Sequence, residues 1–333
     1  MPEELSNDGS IVGSPSNWLE WQLLVQKTVE RYSGKSGFGL ENVYYEVWNE
    51  PDLFGGWKMY GDKSYLELYK YSVLGAQRAE NVNNYYIGGP GTTAPYKNWV
   101  KGLVVFARDN GLALDFISWH RYTGDPGQFG RDVNDVEIWL AEYPGYNELP
   151  FIISEFGYDS ENNSAFDQDI SAAHTVAAIR EVISSVELVF SFEVKDGLSP
   201  GGEEYWGRWG VLTHDKFGNT KKPRYYALKL LNQLNGGNGR LLRVAGEGEY
   251  VKAIGLRDLS SVKLVLVNYD AENRNAEQVP IKIINLPDGE YNIRKEDIKQ
   301  NITNATISVL GGVLTHSVIM PPNSVVLLTI VKQ

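Results

Sequence analysis

The sequence predicts an α/β fold over residues 1–236, followed by an antiparallel β-sandwich over residues 240–333. Three observations predict this organisation. Short apolar strands alternate with helices in the first part, which is typical of a parallel sheet covered on both faces. The second part contains only segments of alternating apolar and polar residues, separated by turn residues. The pattern changes at the glycine-rich segment 236–239, where we place the boundary between the two predicted domains.

The first part begins with a helix. Asn17 and Glu20 have the spacing of a capping box, and apolar residues recur at helical spacing until Gly34 ends the run. Asp62 is the predicted cap of a second helix, and Pro223 opens the last one, where a proline is tolerated. Strands are predicted at 43–48, 85–89, 114–122, 151–156 and 188–193, and helices at 18–32, 62–81, 98–110, 133–143, 165–185 and from 223 onward.

The second part has period-2 segments throughout. Turn residues such as Asp288-Gly289, Gly311-Gly312 and Pro321-Pro322 separate these segments. Strands are predicted at 250–256, 262–268, 281–284, 306–310 and 325–331. Several short strands joined by tight turns indicate a sandwich.

The composition excludes several classes of protein. The chain has 333 residues and a net charge of -11, which argues against nucleic acid as a partner. It contains no cysteine, so disulfides and thiolate metal sites are excluded. No apolar run reaches the roughly 18 residues of a membrane span, so no membrane partner is expected. The acidic start of the chain does not resemble a signal peptide, and the localisation is not predicted.

The number of predicted strands leaves two architectures open. Residues 1–236 provide five strands, whereas a (β/α)8 barrel needs eight. Either the parallel sheet is open, or the chain holds the later part of a barrel whose first three β/α units are absent. In the second case Met1 would be an internal start or the gene would be split.

One candidate catalytic group is Glu50, in the motif Trp48-Asn49-Glu50-Pro51. The preceding strand delivers this carboxylate to the carboxyl end of a parallel sheet, which is the catalytic face of barrels. Pro51 ends the strand and favours an extended backbone at Glu50. The alternative is a surface turn with a solvated glutamate.

The second candidate is Glu155, which ends the apolar strand 151–156. Taken alone, it could equally cap a helix or form a salt bridge. Together with Glu50 it is more specific, because the ends of two non-adjacent barrel strands face each other across the mouth. Two facing carboxylates are the groups that cleave glycosidic bonds.

These motifs give the chain a family resemblance. It resembles the clan A glycoside hydrolases, and among them family 39, which includes β-xylosidases and α-L-iduronidases. The matching segments are 46–51, 117–122 and 153–157, which correspond to strands four, six and seven of the family's barrel, and 210–212 with 222–228 near its last helix. The resemblance implies that the predicted strands are strands four to eight of a barrel.

The resemblance also implies roles for individual residues. Glu50 would be the general acid/base and Glu155 the nucleophile, and Asn49 would bind the sugar beside the cleaved bond. His120 and Tyr122 lie two residues apart, so they share one face of their strand and would flank the pair. Tyr122 could donate to Glu155. His120 could contact substrate or be a buried histidine of the barrel core.

The chain departs from the family pattern at strand eight, which commonly ends in a tryptophan. Trp206 or Trp209 in the following loop could replace this sugar platform, although packing is the simpler reading for either. Glu193 could bind a sugar hydroxyl or pair with Lys195. Glu46 and Trp48 are expected to support Glu50 from the inner layer of the sheet.

The resemblance implies another departure, because the front of the family's barrel, which carries further sugar-binding groups, is absent from this chain.

The four histidines stand far apart and lack metal-ligand spacing, so neither a metal nor another cofactor is expected.

The sequence therefore predicts a retaining glycoside hydrolase that acts on a glycoside, an oligosaccharide or a polysaccharide. Two alternatives remain open. The chain could be a silent or split barrel fragment that needs its N-terminal part, with open sheet edges that favour self-association or complementation. It could also be a non-catalytic carbohydrate-binding protein.

Overall fold

The structure is a computed structural model that describes residues 1–198, 207–235 and 239–333. The chain forms two compact units, which are described separately. The first comprises Met1–Arg121, Gly130–Phe156 and Ser184–Phe190, and the second comprises Tyr122–Phe129, Gly157–Ile183 and Ser191–Gln333. Among the described residues, no helix combines the length and the apolar character that crossing a membrane requires. The predicted domains 1–236 and 240–333 stay a prediction.

A five-stranded sheet with intervening helices confirms the α/β prediction. Its strands follow the chain in the order β1-β2-β3-β4-β5, and the first two pairings are parallel. The strands are β1 (Val43–Glu46), β2 (Tyr85–Thr92), β3 (Ile117–Tyr122), β4 (Phe151–Gly157) and β5 (Leu188–Ser191). All five lie where the sequence predicts them. That they are strands four to eight of a barrel stays a prediction.

The helices are α1 (Trp18–Tyr32), α2 (Tyr65–Gln77), α3 (Lys97–Asn110), α4 (Gly127–Leu140), α5 (Asp169–Val182) and α6 (Pro223–Asn232). The Asn17 side chain caps α1 by accepting from the Leu19 N–H, as the sequence predicts for its N-terminus. Gly111 ends α3 in the left-handed conformation, and Pro223 occupies the first turn of α6.

Three predicted helix starts were wrong. Helix α5 begins at Asp169, four residues after the predicted start at Ala165. Ser64, and not Asp62, caps α2, because its hydroxyl accepts from the Glu67 N–H. Helix α4 begins six residues before the predicted start at Val133. The Asp125 carboxylate accepts from the Gly127 N–H, which fixes the first turn although glycine is a poor helix former.

The C-terminal part forms two antiparallel sheets. One has six strands in the order β11-β10-β13-β8-β7-β6, and the other pairs β12 with β9. The strands are β6 (Arg240–Leu242), β7 (Val251–Arg257), β8 (Ser261–Asn268), β9 (Glu277–Ile284), β10 (Gly289–Asp297), β11 (Ile302–Val309), β12 (Val313–Met320) and β13 (Ser324–Lys332).

Strands of the large sheet pack on both faces. Along β13, Val326, Leu328 and Ile330 belong to a core shared with the two-stranded sheet. The intervening Val325 and Leu327 belong to a second core shared with α5 and α6. Because both faces of the large sheet are buried, the sequences of β13 and β8 are nearly continuous runs of apolar residues. Residues of both antiparallel sheets contribute to the first core.

Three of the eight C-terminal strands are absent from the prediction. Strand β10 has buried Tyr291 and Ile293 on one face, but charged residues such as Arg294 and Lys295 obscure the alternation. Strand β12 likewise buries Leu314 and Val318 around a polar centre. Strand β6 has only three residues, too few for a periodicity to be visible.

A buried histidine on α5 lies within an aromatic group of the second unit. The His174 ring meets Phe129, Tyr158 and Tyr269 edge-on, with ring centroids 6.0, 5.3 and 5.7 Å away. Its burial lowers the pKa of His174 to about 4, although a hydrogen bond with the Thr123 backbone opposes the shift. This imidazole is neutral in the folded protein at neutral pH.

We expect His174 to make the protein sensitive to acid. The pKa of His174 is about 4 in the folded protein and near 6.5 in the unfolded chain. Between pH 4 and pH 6.5 the unfolded chain therefore binds a proton that the folded protein does not bind. The neutral His174 therefore stabilises the folded state fully above pH 6.5. As the pH falls to about 4, the free energy of unfolding should decrease by about 3 kcal/mol. Urea titrations of wild type and His174→Gln should show this difference between pH 7 and pH 4. Parallel pH profiles of the two proteins would contradict the assignment.

Candidate active site

Glu50 lies in the turn that follows β1, and backbone hydrogen bonds hold this turn against β2. The Glu50 N–H donates to the Gly91 carbonyl at 2.9 Å. Its own carbonyl accepts from the N–H groups of Leu53 and Phe54, at 3.0 and 2.9 Å. The residue is 9% exposed, and it is the carboxylate that the sequence places at the end of this strand.

The backbone of this turn departs from the predicted extended geometry. Glu50 has a φ of 44° and Trp48 a φ of 73°, both in the left-handed region that favours glycine. The prediction from Pro51 was wrong because the local preference before proline is overridden by the turn hydrogen bonds on both sides of Glu50. Backbone strain of this kind is commonly found at functional sites.

Three side chains from separate strands or strand ends converge in the first unit. His120 on β3 approaches Glu50 with its Nδ1 atom, 2.8 Å from Oε1. The same nitrogen is 3.5 Å from Oε2 of Glu155 on β4. One ligand atom from each residue lies within 4.8 Å of the other two. The structure therefore brings together both predicted carboxylates and the predicted histidine.

His120 is fully buried, and its charge state depends on its neighbours. Burial alone would lower the pKa of its imidazole. The hydrogen bond with Glu50 and the negative charges of Glu155, Glu46 and Glu50 outweigh this effect, so that the pKa of His120 is raised above 6.5. With a proton on Nδ1, the ring donates to Oε1 of Glu50. Among the described residues, its Nε2 atom has no hydrogen-bond partner.

The same three side chains could in principle hold a metal ion, because imidazole and carboxylate groups are common ligands. The short contact between Nδ1 of His120 and Glu50 is a hydrogen-bond distance, however. A proton shared between these two atoms accounts for the geometry.

Glu46 on β1 forms a hydrogen bond to β4. The Ser154 hydroxyl donates to Oε2 of Glu46 at 2.7 Å, and Ser154 immediately precedes Glu155. Gly91 lies against the same carboxylate, where the pairing of β2 with β3 shifts register. A Cβ atom on Gly91 would lie 2.9 Å from Cδ of Glu46 and 3.0 Å from the Trp48 carbonyl oxygen. The predicted supporting position of Glu46 thus has a partner, Ser154, which the sequence did not reveal.

Three further residues that the sequence analysis names are Asn49, Trp48 and Tyr122. Asn49 is exposed beside Glu50, and Trp48 packs edge-on against Trp57 with the centroids 5.1 Å apart. Tyr122 ends β3, and its ring meets Phe192 edge-on at 6.4 Å.

The segment after β5 carries the remaining predictions. Glu193 is half-buried there, and the ammonium of Lys195 pairs with Asp215 at 2.6 Å. Trp209 donates its indole N–H to the Asp159 carbonyl at 3.2 Å. Trp206 lies outside the described residues.

Comparison with known proteins identifies a family. The profile of "Glycosyl hydrolases family 39" matches residues 8–306. A beta-xylosidase of Caldicellulosiruptor saccharolyticus is 23% identical over 312 residues, which are 85% of this chain and 62% of that protein. A beta-xylosidase of Geobacillus stearothermophilus is 28% identical over 249 residues, 67% of this chain and 48% of that protein. The chain thus spans roughly half to six-tenths of the length of these relatives.

Solved structures share the fold. A monomeric beta-xylosidase from Caulobacter crescentus superposes with a TM-score of 0.75 at 22% identity, covering 96% of this chain and 75% of the other. The GH39 enzyme from Xanthomonas axonopodis pv. citri gives a TM-score of 0.73 at 18% identity, covering 96% and 74%. At these identities the likeness concerns the fold.

The contact at Gly91 leads to a prediction with a matched control. Gly91→Ala forces an alanine into the left-handed region and drives its Cβ into Glu46, whereas Gly56 has a similar φ with nothing within 4 Å. Gly56→Ala should lower the free energy of unfolding by about 1–2 kcal/mol. Gly91→Ala should cost about 1–3 kcal/mol more because of the overpacking. Urea unfolding of both variants measures the difference, and equal losses would argue against the close approach.

Proposed function

The chain belongs to glycosyl hydrolase family 39, and we propose that it is a glycosidase that cleaves O-glycosidic bonds with retention of configuration. The observation that carries the proposal is the separation of the two carboxylates. Oxygen atoms of Glu50 and Glu155 lie within 4.8 Å of each other. Carboxyl groups in retaining glycosidases are about 5–5.5 Å apart, whereas inverting enzymes need about 6.5–9.5 Å to admit a water molecule.

The first substrates to test are β-xylosides. The two relatives from Caldicellulosiruptor saccharolyticus and Geobacillus stearothermophilus both bear the name beta-xylosidase. The chain covers 62% and 48% of their lengths, and their shared name suggests xylose as the transferred sugar.

In the first step, Glu155 acts as the nucleophile and Glu50 as the acid. A carboxylate oxygen of Glu155 forms a bond to the anomeric carbon while the bond from that carbon to the leaving oxygen breaks. Glu50 transfers its proton to the leaving oxygen, so that the leaving group departs as an alcohol. The products are a glycosyl ester of Glu155 and an ionised Glu50.

In the second step, Glu50 acts as a base. It takes a proton from a water molecule whose oxygen attacks the anomeric carbon from the face that the leaving group occupied. The ester bond breaks, and Glu155 is regenerated as a carboxylate. Two inversions give net retention, and each carboxyl group returns to its initial protonation state.

A proton on His120 stabilises negative charge on the two carboxylates. Its Nδ1 atom lies close to both, so a positive imidazole would offset the negative charge that moves between them during the two steps. In this proposal His120 positions Glu50, and Asn49, Tyr122, Glu193 and Trp206 remain candidates for contacts with the sugar.

The five-stranded sheet supports a further proposal and a second candidate function. We infer that β1–β5 correspond to strands four to eight of a barrel. On this view β1 and β5 form the two edges of the sheet, where a further segment would pair. The second candidate is therefore a silent fragment that becomes active only when such a segment is supplied. An inactive chain that gains β-xylosidase activity on addition of the segment would favour this candidate.

Azide rescue separates the roles of the two carboxylates. Glu155→Ala should abolish hydrolysis of an aryl β-xyloside, and azide should restore turnover by entering the vacated space and forming the α-glycosyl azide. Glu50→Ala should lose about 10²–10⁴-fold on substrates with poor leaving groups, since it lacks the acid. Azide should then yield the β-glycosyl azide, because it replaces the water of the second step. The anomer is identified by NMR spectroscopy.

Glu137→Ala removes an exposed carboxylate on α4 and serves as the control, with unchanged activity expected. Rescue to the same anomer in both active-site variants, or hydrolysis that survives Glu155→Ala, would reject the assignment. Binding of xylo-oligosaccharides without any turnover would instead indicate a carbohydrate-binding protein.

A further inference from the structure

A cavity of about 270 Å³ lies between the two antiparallel sheets, within the second unit. Strands β10 and β11 of the large sheet form one wall, and β12 of the two-stranded sheet forms the other. The residues that line it include Ile293, Lys295, Thr303, Asn304, His316 and Val318. Of the described residues that line it, none is an aspartate or a glutamate, and none belongs to the Glu50–His120–Glu155 group.

Lys295 and His316 both lie on strand faces that turn toward the space between the sheets. Lys295 follows Ile293 by two positions on β10, so the two side chains share one face of the strand. Ile293 belongs to the core to which both sheets contribute. On β12, His316 lies two positions from Leu314 and from Val318, which belong to the same core. Both basic side chains are therefore at the margin of this core, where they are half-buried.

The two basic groups act on each other across the cavity. Burial lowers the pKa of the His316 imidazole, and the positive charge of Lys295 lowers it further. No carboxylate in the described part of the chain counters this effect at His316. A half-buried lysine in a cavity without a carboxylate is unexpected in a chain whose net charge is -11. An anion that enters the cavity would gain charge-assisted hydrogen bonds there.

The rest of the lining suits a small organic molecule. Ile293 and Val318 are 2% and 3% exposed and form an apolar floor. Thr303 is opposite Lys295 in the pairing of β10 with β11, so its hydroxyl lies on the same face of the sheet. Asn304 is exposed beside it and supplies a donor and an acceptor. The volume is just below the range for drug-sized ligands, and a single sugar ring or a smaller molecule would fit.

We propose that this cavity binds a small organic acid, whose carboxylate accepts hydrogen bonds from Lys295 and His316 and whose hydroxyl groups contact Thr303 and Asn304. A sugar acid such as glucuronate has the required carboxylate, several hydroxyl groups and an apolar ring face that can cover the floor. Inorganic phosphate has the charge but no apolar face. The inference concerns a second site, and it does not depend on the proposed glycosidase function.

The test is a titration of methyl-labelled protein with three ligands, followed by NMR spectroscopy. Glucuronate should shift the methyl resonances of Ile293 and Val318 with a Kd in the millimolar range. Glucose, which has the ring but no carboxylate, and inorganic phosphate should each bind at least about tenfold more weakly. Lys295→Met should weaken the binding of glucuronate about tenfold, because it removes a charge-assisted hydrogen bond and keeps the length of the side chain.

Lys282→Met is the matched control for the change of charge and shape. Lys282 is an exposed lysine on β9 and lies outside the cavity lining, so its replacement should leave the binding of glucuronate unchanged. Unchanged thermal unfolding midpoints of both variants exclude misfolding as the cause of a selective loss.

Four results would overturn the proposal. Shifts confined to methyl groups remote from the cavity would place the ligand elsewhere, and equal losses in the two lysine variants would indicate only a long-range effect of charge. Equal binding of glucuronate and either glucose or phosphate would show that the cavity does not recognise an organic acid. Binding of none of the three would leave Lys295 as an inward-pointing charge that protects the sheet edge from association. Because no glycoside is cleaved in these measurements, each result leaves the glycosidase proposal unaffected.

Discussion

The contact of one imidazole with two carboxylates is the constraint on which the site depends. Oxygen atoms of Glu50 and Glu155 lie within 4.8 Å of each other, so negative charge on either carboxylate acts strongly on the other. His120 lies between them, 2.8 Å from Glu50 and 3.5 Å from Glu155, and the raised pKa of its ring reflects their combined field. A proton on this ring therefore offsets negative charge on either carboxylate, which favours their close approach.

The sheet and the turn after β1 supply the geometry of this contact. Strands β3 and β4 present His120 and Glu155 directly, but Glu50 arrives on a turn whose backbone is held by the Gly91 carbonyl. Glu46 connects that turn's strand to Ser154 beside the other carboxylate. The backbone of Glu50 has a positive φ where its side chain approaches the imidazole. The surrounding hydrogen bonds compensate for the strain of this conformation.

Much of this arrangement could be predicted from the sequence, because it follows from local patterns. Short apolar strands that alternate with helices predicted the order of the elements, and strands ending in Glu50 and Glu155 predicted that these two carboxylates face each other. The position of His120 beside them followed only from the resemblance to family 39, and a buried histidine of the core was the open alternative. Long-range contacts were not predictable in this way. No local signal shows that Ser154 reaches Glu46 or that a Cβ at Gly91 would collide with Glu46. Strands β10 and β12 were missed for a related reason, since their register is determined by partner strands rather than by their own periodicity.

Covalent trapping tests most directly that both carboxylates act on a single anomeric carbon. A 2-deoxy-2-fluoro-xyloside with a good leaving group allows the first step and slows the second, so that the glycosyl ester accumulates. Mass spectrometry of the digested protein should find the fluorosugar on the peptide that contains Glu155, and Glu50→Gln should greatly slow the labelling by reagents whose leaving group needs an acid. A label on another residue, or catalytic turnover of an ordinary xyloside by a protein that the reagent never modifies, would contradict the account.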